Sequence, residues 1–320
     1  MKILIIRFSS IGDIILTTPV VRCLKQQVKN AEVHYLTKDT FKSILEFNPY
    51  LDKIHTIKTD IGEVEKQLQL EKFDYVIDLH RNLRTLRLKW VLRVKSFSFK
   101  KLNREKFFMT FLKINTLPKQ HIVDRYLETT NFLGVVNDNR GLDYFISSKD
   151  VVDLTSILPT YFLNGYYALV IGGSYFTKQI PFNKLTEICE KSALPLVLLG
   201  GNEDAMIAES LHNLFPEKTV HVCGKMRLNQ SASIIKQSKK VITSDTGLMH
   251  IAAAYKKDII SIWGNTIPEF GMGPYMAGDY SQIVEVKNIS CRPCSKLGHT
   301  KCPKGHFKCM NDINFTNVSF

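Results

Sequence analysis

The chain has 320 residues, a mean hydropathy of −0.07 and a formal net charge of +13. This length suits two domains of ordinary size, and no uninterrupted apolar run approaches the roughly 20 residues of a membrane span. Arg7 breaks the apolar run at the N-terminus. We therefore expect no secretory signal, and we expect the protein to stay in the cytoplasm.

The first half of the chain alternates short apolar runs with helical patterns. Lys2–Phe8 is a continuous β-branched run that predicts a strand buried on both faces, and Ile14–Val28 follows it with helical spacing. Further predicted elements are strands at Glu32–Leu36, Lys53–Ile57 and Phe73–Asp78, and a helix at Gly62–Glu71. Strand and helix in alternation predict a parallel α/β sheet.

The stretch from Arg81 to Arg125 is strongly basic. It holds thirteen Lys or Arg residues against only Glu105 and Asp124. Its apolar residues, such as Trp90, indicate amphipathic helices or a long insertion. This charge favours a polyanionic partner, and the candidates are nucleic acid, an anionic membrane surface and a phosphorylated glycolipid. The alternative is a basic face that is only solvated.

A loosely patterned stretch from about Asn137 to Gly165 is rich in Asp, Asn, Ser and Pro and predicts a linker. We place two domains at residues 1–155 and 156–320, and leave open whether the C-terminal tail packs back on the first. Strands are then predicted at Tyr167–Ile171, Leu196–Leu199, Thr219–Val222, Lys240–Thr243 and Ile259–Trp263. Helices are predicted at Asn183–Lys191, Glu203–Leu214, Leu228–Lys236 and Leu248–Tyr255.

Polar turns follow several predicted strands, at the ends where parallel sheets gather ligands. These turns are Ser9–Asp13, Gly172–Lys178, Gly200–Asp204 and Ser244–Gly247. None matches the dinucleotide fingerprint GxGxxG or the phosphate loop GxxxxGK[ST], which argues against a standard NAD enzyme or a P-loop ATPase. Gly, Ser, Thr and Lys at strand ends still suit a diphosphate, whereas Asp245 or Thr246 acting only as a helix cap is the alternative.

Three motifs stand in a recognisable order along the chain. They are RFSSIGDIILTTPVVRCLK at the N-terminus, DLHRNLRT at Asp78–Thr85, and SDTGLMHIAAA with IISIWGNT within Ser244–Thr266. Together they resemble glycosyltransferase family 9, the ADP-heptose:lipopolysaccharide heptosyltransferase family, over essentially the whole chain. The resemblance implies an α/β architecture with the GT-B fold, in which two Rossmann-like, doubly wound domains face each other across a cleft. It also implies sugar transfer from a nucleotide donor to a lipid-linked core sugar, with inversion at the anomeric carbon and without a catalytic metal or other cofactor.

The resemblance also implies roles for individual residues. Asp13 matches the family's proposed catalytic base, which activates the acceptor hydroxyl, although a simple N-cap Asp fits this position as well. The positions that match donor-diphosphate contacts are Ser174, Lys178, Thr246, Gly247 and His250. Without a metal, such groups must stabilise the charge on the departing diphosphate. Met226 lies in a turn that matches the adenine contact, and Glu203 or Asp204 is a candidate for the ribose hydroxyls.

Arg81 and Arg84 fall in the half that binds the acceptor in this family. Inner-core lipopolysaccharide carries phosphates and acidic sugars, so the basic stretch suits such an acceptor at the inner face of the bacterial inner membrane. No signature of a nucleic-acid module accompanies the charge, and no nucleic acid partner is expected.

The leading prediction is an inverting glycosyltransferase that moves a heptose, or a related sugar, from an ADP-sugar to the lipopolysaccharide inner core. A nucleotide-sugar epimerase of the GT-B type and a non-catalytic polyanion-binding protein are the alternatives.

Four of the seven cysteines lie within 19 residues of one another. They are Cys291, Cys294, Cys302 and Cys309. A structural zinc site is one interpretation of this cluster, with His299 and His306 as alternative ligands, and free or core thiols are the other. Disulfides are the least expected state in a reducing compartment.

Overall fold

The computed structural model describes every residue from Met1 to Phe320. The chain forms two compact units: Met1–Lys101 with Gln120–Phe145, and Leu102–Lys119 with Ile146–Phe320. Each unit contains one parallel sheet, as the alternation of apolar runs and helical patterns predicts. None of the helices combines the length and hydropathy that crossing a lipid bilayer requires.

The first unit is built on a five-stranded parallel sheet in the order β3-β2-β1-β4-β5. Its strands are β1 (Lys2–Ile6), β2 (Glu32–Lys38), β3 (Lys53–Ile57), β4 (Tyr75–Asp78) and β5 (Lys95–Ser98). The central strand β1 is buried from Ile3 to Ile6, because helices cover both faces of such a sheet. The strand order reverses direction between β1 and β4. The turns after these two strands therefore flank the switch point, where open α/β sheets bind ligands.

The helices of the first half depart from the predicted ones at two points. They are α1 (Ile11–Ile15), α2 (Thr18–Gln27), α3 (Glu65–Leu70), α4 (Leu83–Leu92) and α6 (Ile122–Leu127), with α5 (Asn103–Phe107) belonging to the second unit. The single helix predicted at Ile14–Val28 is divided, because Pro19 fits only the first turn of α2. The helix predicted at Gly62–Glu71 begins instead as the 3₁₀ turn Ile61–Glu63, and α3 follows it.

The second unit contains a six-stranded parallel sheet in the order β11-β10-β9-β6-β7-β8. Its strands are β6 (Tyr167–Val170), β7 (Leu196–Leu199), β8 (Thr219–His221), β9 (Lys240–Ser244), β10 (Asp258–Trp263) and β11 (Gln282–Glu285). Its later helices are α7 (Phe182–Lys191), α8 (Ala205–Leu214), α9 (Leu228–Gln237), α10 (Gly247–Ala254) and α11 (Lys308–Asn311). Here the order reverses between β6 and β9, so the turns after these strands flank the second switch point.

The C-terminal tail completes the core of the second unit. Phe307, Met310, Ile313 and Phe315 are all at most 7% exposed and pack into the same apolar cluster as residues of β6, β7 and β10. The sequence leaves open a return of this tail to the first domain. In the structure these apolar side chains are instead buried in the second unit.

Gly172 is required where the turn after β6 passes the buried Asp204. A Cβ on Gly172 would lie 2.2 Å from Asp204 Oδ2, and this oxygen already accepts a 2.7 Å hydrogen bond from the Gly201 amide. We expect Gly172→Ala to destabilise the protein by about 1–3 kcal/mol, because a short buried carboxyl group cannot swing aside. Urea unfolding measures the effect, and Gly273→Ala is the control, since its nearest neighbour would be 4.0 Å away. Equal unfolding midpoints for the two variants would contradict the close approach.

Candidate functional site

The polar turns of the second unit lie at one edge of its sheet, because all six strands are parallel. These turns and the helix start that follows β9 carry every residue predicted to contact the donor. Ser174 and Lys178 follow β6, Glu203 follows β7, Met226 follows β8, and Thr246, Gly247 and His250 follow β9. The strand order thus gathers residues that are far apart in the sequence.

Lys178 contacts Asp245 at the switch point between β6 and β9. Lys178 Nζ lies 2.6 Å from Asp245 Oδ2, and the two side chains are only 17% and 13% exposed. The same carboxylate oxygen accepts a 2.9 Å hydrogen bond from Thr266 Oγ1, just after β10. The ammonium group is thus fixed at the edge where such sheets bind phosphates, beside a carboxylate that a phosphate group can replace as its partner.

The start of α10 provides backbone donors next to this lysine. Thr246 is the N-cap, and its Oγ1 accepts a 3.4 Å hydrogen bond from the Met249 amide. Of the two predicted cap candidates, Thr246 therefore caps the helix, whereas Asp245 pairs with Lys178. Gly247 is the first helical residue and is partly exposed, so the first turn of α10 presents backbone amides of the kind that bind anions at helix starts.

The remaining donor candidates differ in their exposure. Ser174 is exposed on the turn after β6, whereas His250 is only 2% exposed within α10. Glu203 is exposed, but Asp204 is buried, and burial raises the pKa of its carboxyl group. Of the two acids considered for the ribose, Glu203 is therefore the accessible one. Met226 is half-buried between β8 and α9.

Asp13 lies in α1, directly after the turn that follows β1. Its Oδ2 accepts hydrogen bonds from the Ser10 amide (3.2 Å) and the Ser10 hydroxyl (2.9 Å), and lies 2.8 Å from Arg7 Nη2. The helix cap is thus Ser10, and Asp13 stands three residues further on. Burial by itself would raise the pKa of Asp13, but the Arg7 guanidinium and the bonds from Ser10 outweigh it and lower the pKa below its ordinary value. Asp13 is therefore ionised at neutral pH.

Arg7 is a site residue that sequence reasoning missed, since it was interpreted only as a break in an apolar run. Its Nε donates to the Ser9 carbonyl at 2.7 Å and its Nη1 to the Leu79 carbonyl at 2.6 Å. Arg7 therefore ties together the turns that follow β1 and β4, on either side of the first switch point. The available signal was a basic residue directly after a buried strand, six positions before an acidic one.

Arg81 and Arg84 lie just after β4, on the same switch point. Arg81 is exposed, and its Nη1 donates to the Phe99 carbonyl at 3.0 Å. Arg84 is half-buried in the first turn of α4, with its guanidinium carbon 5.1 Å from the centre of the Phe8 ring. The structure therefore places Arg84 against Phe8, just before the turn that leads to Asp13, whereas Arg81 contacts the segment after β5.

The four clustered cysteines are free thiols that follow β11. Cys291 Sγ lies 3.7 Å from His306 Nε2, and the Cys294 thiol donates to the Cys291 carbonyl at 3.1 Å. Burial, with neighbouring Cys291, raises the pKa of Cys294 to about 11. The only three His, Cys or acidic groups with ligand atoms within 4.8 Å of one another are His34, His55 and Glu71 in the first unit. The zinc site at the cysteines stays a prediction.

Comparison with known proteins identifies the family. The family described as glycosyltransferase family 9 (heptosyltransferase) matches residues 61–303. Lipopolysaccharide heptosyltransferase 1 of Campylobacter coli is 27% identical over 289 residues, which cover 83% of this chain and 84% of that protein.

Solved structures show the same fold. A glycosyl transferase family 9 structure from Veillonella parvula has a TM-score of 0.72 and 23% identity, and the match covers 88% of this chain and 85% of that one. The Escherichia coli ADP-heptose lipopolysaccharide heptosyltransferase II has a TM-score of 0.70 and 17% identity, with 98% of each chain covered. The predicted fold class, GT-B with two Rossmann-like domains, is confirmed. Since the family match spans most of the residues, this chain is a glycosyltransferase and belongs to family 9, the heptosyltransferase family.

Proposed function

We propose that this chain transfers a heptose, or a related sugar, from an ADP-linked donor to the inner core of lipopolysaccharide, with inversion at the anomeric carbon. The observation that carries the proposal is the Lys178–Asp245 contact beside the start of α10. Relatives named as lipopolysaccharide heptosyltransferases, one of them with ADP-heptose in its name, support this donor and acceptor.

In the proposed reaction, the acceptor hydroxyl oxygen bonds to the anomeric carbon while the bond between that carbon and the diphosphate oxygen breaks. Asp13 takes the hydroxyl proton, and ADP leaves with the bonding electron pair. Lys178 and the amides of Thr246 and Gly247 stabilise the negative charge that grows on the diphosphate. Because Asp13 has a lowered pKa, it is a weak base. It accepts the proton late, once the attacking oxygen has begun to bond to carbon.

The donor class is tested by thermal unfolding in the presence of ADP-, UDP- and GDP-linked sugars, together with product analysis after adding a deacylated inner-core acceptor. We expect ADP-sugars to raise the unfolding midpoint selectively and to give a glycosylated product with inverted configuration. Equal stabilisation by the UDP-sugars, or retention of configuration, would contradict the proposal.

The acceptor side of the proposal rests on Arg81 and Arg84. Both cations follow β4, which lies beside β1 in the sheet, and they suit the phosphates and acidic sugars of the inner core. We place the chain peripherally at the inner face of the bacterial inner membrane, where such a glycolipid is presented, and propose no nucleic acid partner.

We expect Arg81→Gln/Arg84→Gln to raise the acceptor KM by at least about 100-fold, because two lost charge-assisted bonds, at roughly 1.5–3 kcal/mol each, together contribute about 3–6 kcal/mol. The donor KM should stay unchanged. Steady-state kinetics with each substrate varied in turn measures both constants. Lys29→Gln/Lys66→Gln is the control, because it removes two exposed positive charges elsewhere in the same unit. Equal effects on the donor and acceptor constants would remove these arginines from the acceptor site.

We also propose that the cysteine cluster holds one structural zinc ion, separate from the reaction. Its thiols follow one strand, and Cys291 already approaches His306. We expect about one equivalent of metal, by elemental analysis, in protein purified without added zinc. Cys294→Ser should lose this metal, and Cys189→Ala, which alters a buried thiol outside the cluster, should keep it. Metal-free wild-type protein in which the clustered thiols all react with a thiol reagent would exclude the site.

A further inference from the structure

Helix α4 carries an exposed apolar stripe that the proposed chemistry does not use. Leu83, Leu86 and Trp90 are 83%, 58% and 73% exposed. Their spacing of three and then four residues places them in a single row along the helix. The opposite side of α4 packs into the unit through Thr85 and Leu88, which are both fully buried. The helix is thus apolar on its inner face and again on its outer face.

Single exposed leucines are ordinary on protein surfaces, but a row of three that includes a tryptophan is not. Trp90 is one of only two tryptophans in the chain, and the other, Trp263, is 1% exposed. Tryptophan combines a large apolar ring with an N–H donor, and it concentrates where a hydrocarbon phase meets water. The row therefore has the chemistry of a surface that enters a lipid interface.

The charge around the row is predominantly positive, although Arg87 of α4 pairs with Asp60 and Glu65, and Lys89 with Asp78. No acidic residue occurs between Arg81 and Arg104, whereas this segment contains nine Lys or Arg residues. Arg93, which ends α4, and Lys95 and Lys100 beyond it are all exposed. A second copy of the same face would bring like charges together, so self-association through it is disfavoured. An anionic surface with an apolar interior complements both features.

We propose that the outer face of α4 docks on the anionic phospholipid bilayer, with Leu83, Leu86 and Trp90 inserted below the headgroups and the surrounding cations held at their level. An interfacial helix of this kind combines apolar burial with electrostatic attraction. The inference rests on the proposed function, in which docking would bring the enzyme to its glycolipid acceptor. Helix α4 begins directly after Asn82, next to the arginines assigned to that acceptor. Docking itself requires no turnover.

The test uses the full-length protein and vesicles of phosphatidylcholine, with or without phosphatidylglycerol. Wild type is expected to sediment with the anionic vesicles, and Leu83→Gln/Leu86→Gln/Trp90→Gln to bind them at least about tenfold more weakly, because three inserted apolar side chains are lost. The control is Leu70→Gln/Met206→Gln/Tyr280→Gln, which alters three equally exposed but scattered apolar residues and should bind as wild type does.

Trp90 also provides a direct readout of insertion. Brominated lipids should quench wild-type fluorescence but not that of Trp90→Phe, whose remaining tryptophan is buried. Wild-type vesicle binding by the α4 triple variant, or the absence of quenching, would overturn the proposal. Wild-type protein that does not bind vesicles, but dimerises or binds nucleic acid through this face, would also overturn the proposal.

A second assay separates this inference from the proposed function. The α4 triple variant should transfer sugar to a soluble, deacylated acceptor at the wild-type rate while losing transfer to acceptor embedded in vesicles. If no variant transfers sugar to either acceptor but vesicle binding follows α4, the proposed function fails and the docking surface stands. If transfer to both acceptors is equally retained, the docking surface is refuted while the proposed function stands.

Discussion

Asp13→Asn is expected to lower kcat for sugar transfer by about 10²–10⁴-fold, the contribution that a positioned general base typically makes. The amide keeps an oxygen that can accept the hydrogen bonds from Ser10, but it cannot take the acceptor proton. Binding of ADP should be unchanged, because the residues proposed to hold the diphosphate all lie in the second unit. Single-turnover transfer assays and calorimetric titration with ADP measure the two quantities separately.

The pH dependence of the same reaction tests the assignment of Asp13 further. In the wild type, the Arg7 guanidinium and the hydrogen bonds from Ser10 together outweigh burial and keep the pKa of Asp13 low, so the active carboxylate persists into acid. In Arg7→Gln only burial and the Ser10 bonds remain. The pKa should rise, and the acid limb of kcat/KM should move to higher pH. If Asp13→Asn transfers sugar at the wild-type rate, another group is the base. The same conclusion follows if Arg7→Gln leaves the acid limb of kcat/KM at its wild-type position.

Lys178→Met should lower kcat by about 10²–10³-fold, since removal of one preorganised donor from a developing oxyanion typically has an effect of this size. The donor KM should also rise, because the diphosphate loses a charge-assisted contact. The substitution keeps an unbranched side chain one atom shorter than that of lysine, but it leaves Asp245, which is only 13% exposed, without its cation. A lower thermal stability is therefore expected as well. This loss of stability must be separated from the loss of transfer activity.

The double variant Lys178→Met/Asp245→Asn separates these two losses. Neutralising Asp245 removes the unpaired carboxylate, so the thermal stability should recover. Activity should not recover if Lys178 acts on the diphosphate. Asp245→Asn alone should retain the lysine and much of the transfer rate. A double variant that regains both stability and transfer would show that Lys178 only holds its turn in place.

The parallel sheets were predictable because strands buried on both faces have a distinctive sequence. Leu196–Leu199 was predicted with the bounds that the structure shows, since it is short, wholly apolar and bounded by turn residues. The edge strand Lys53–Ile57 was also predicted with its observed bounds, although its sequence is more polar. The edge strands β5 and β11 were missed. Lys95–Ser98 carries Lys and Ser and is half-exposed, so it lacks the apolar signal of a central strand.

The site was predictable residue by residue but not as an arrangement. Polar residues at strand ends indicated Lys178 and Asp13, yet the partner of each side chain depends on strand order. Lys178 meets Asp245 only because β6 lies beside β9, although two strands intervene in the sequence. Likewise, Arg7 reaches Leu79 only because β1 lies beside β4. Local patterns do not encode such neighbours, since the connections between these strands are long.

A crystal structure of this chain with ADP bound and without divalent metal ions would test the central claim most directly. We expect oxygens of the diphosphate to lie within hydrogen-bond distance of Lys178 Nζ and of the Thr246 or Gly247 amide, with Lys178 drawn from Asp245 toward the phosphate. A diphosphate bound away from the start of α10, with the 2.6 Å contact between Lys178 and Asp245 unchanged, would contradict the account.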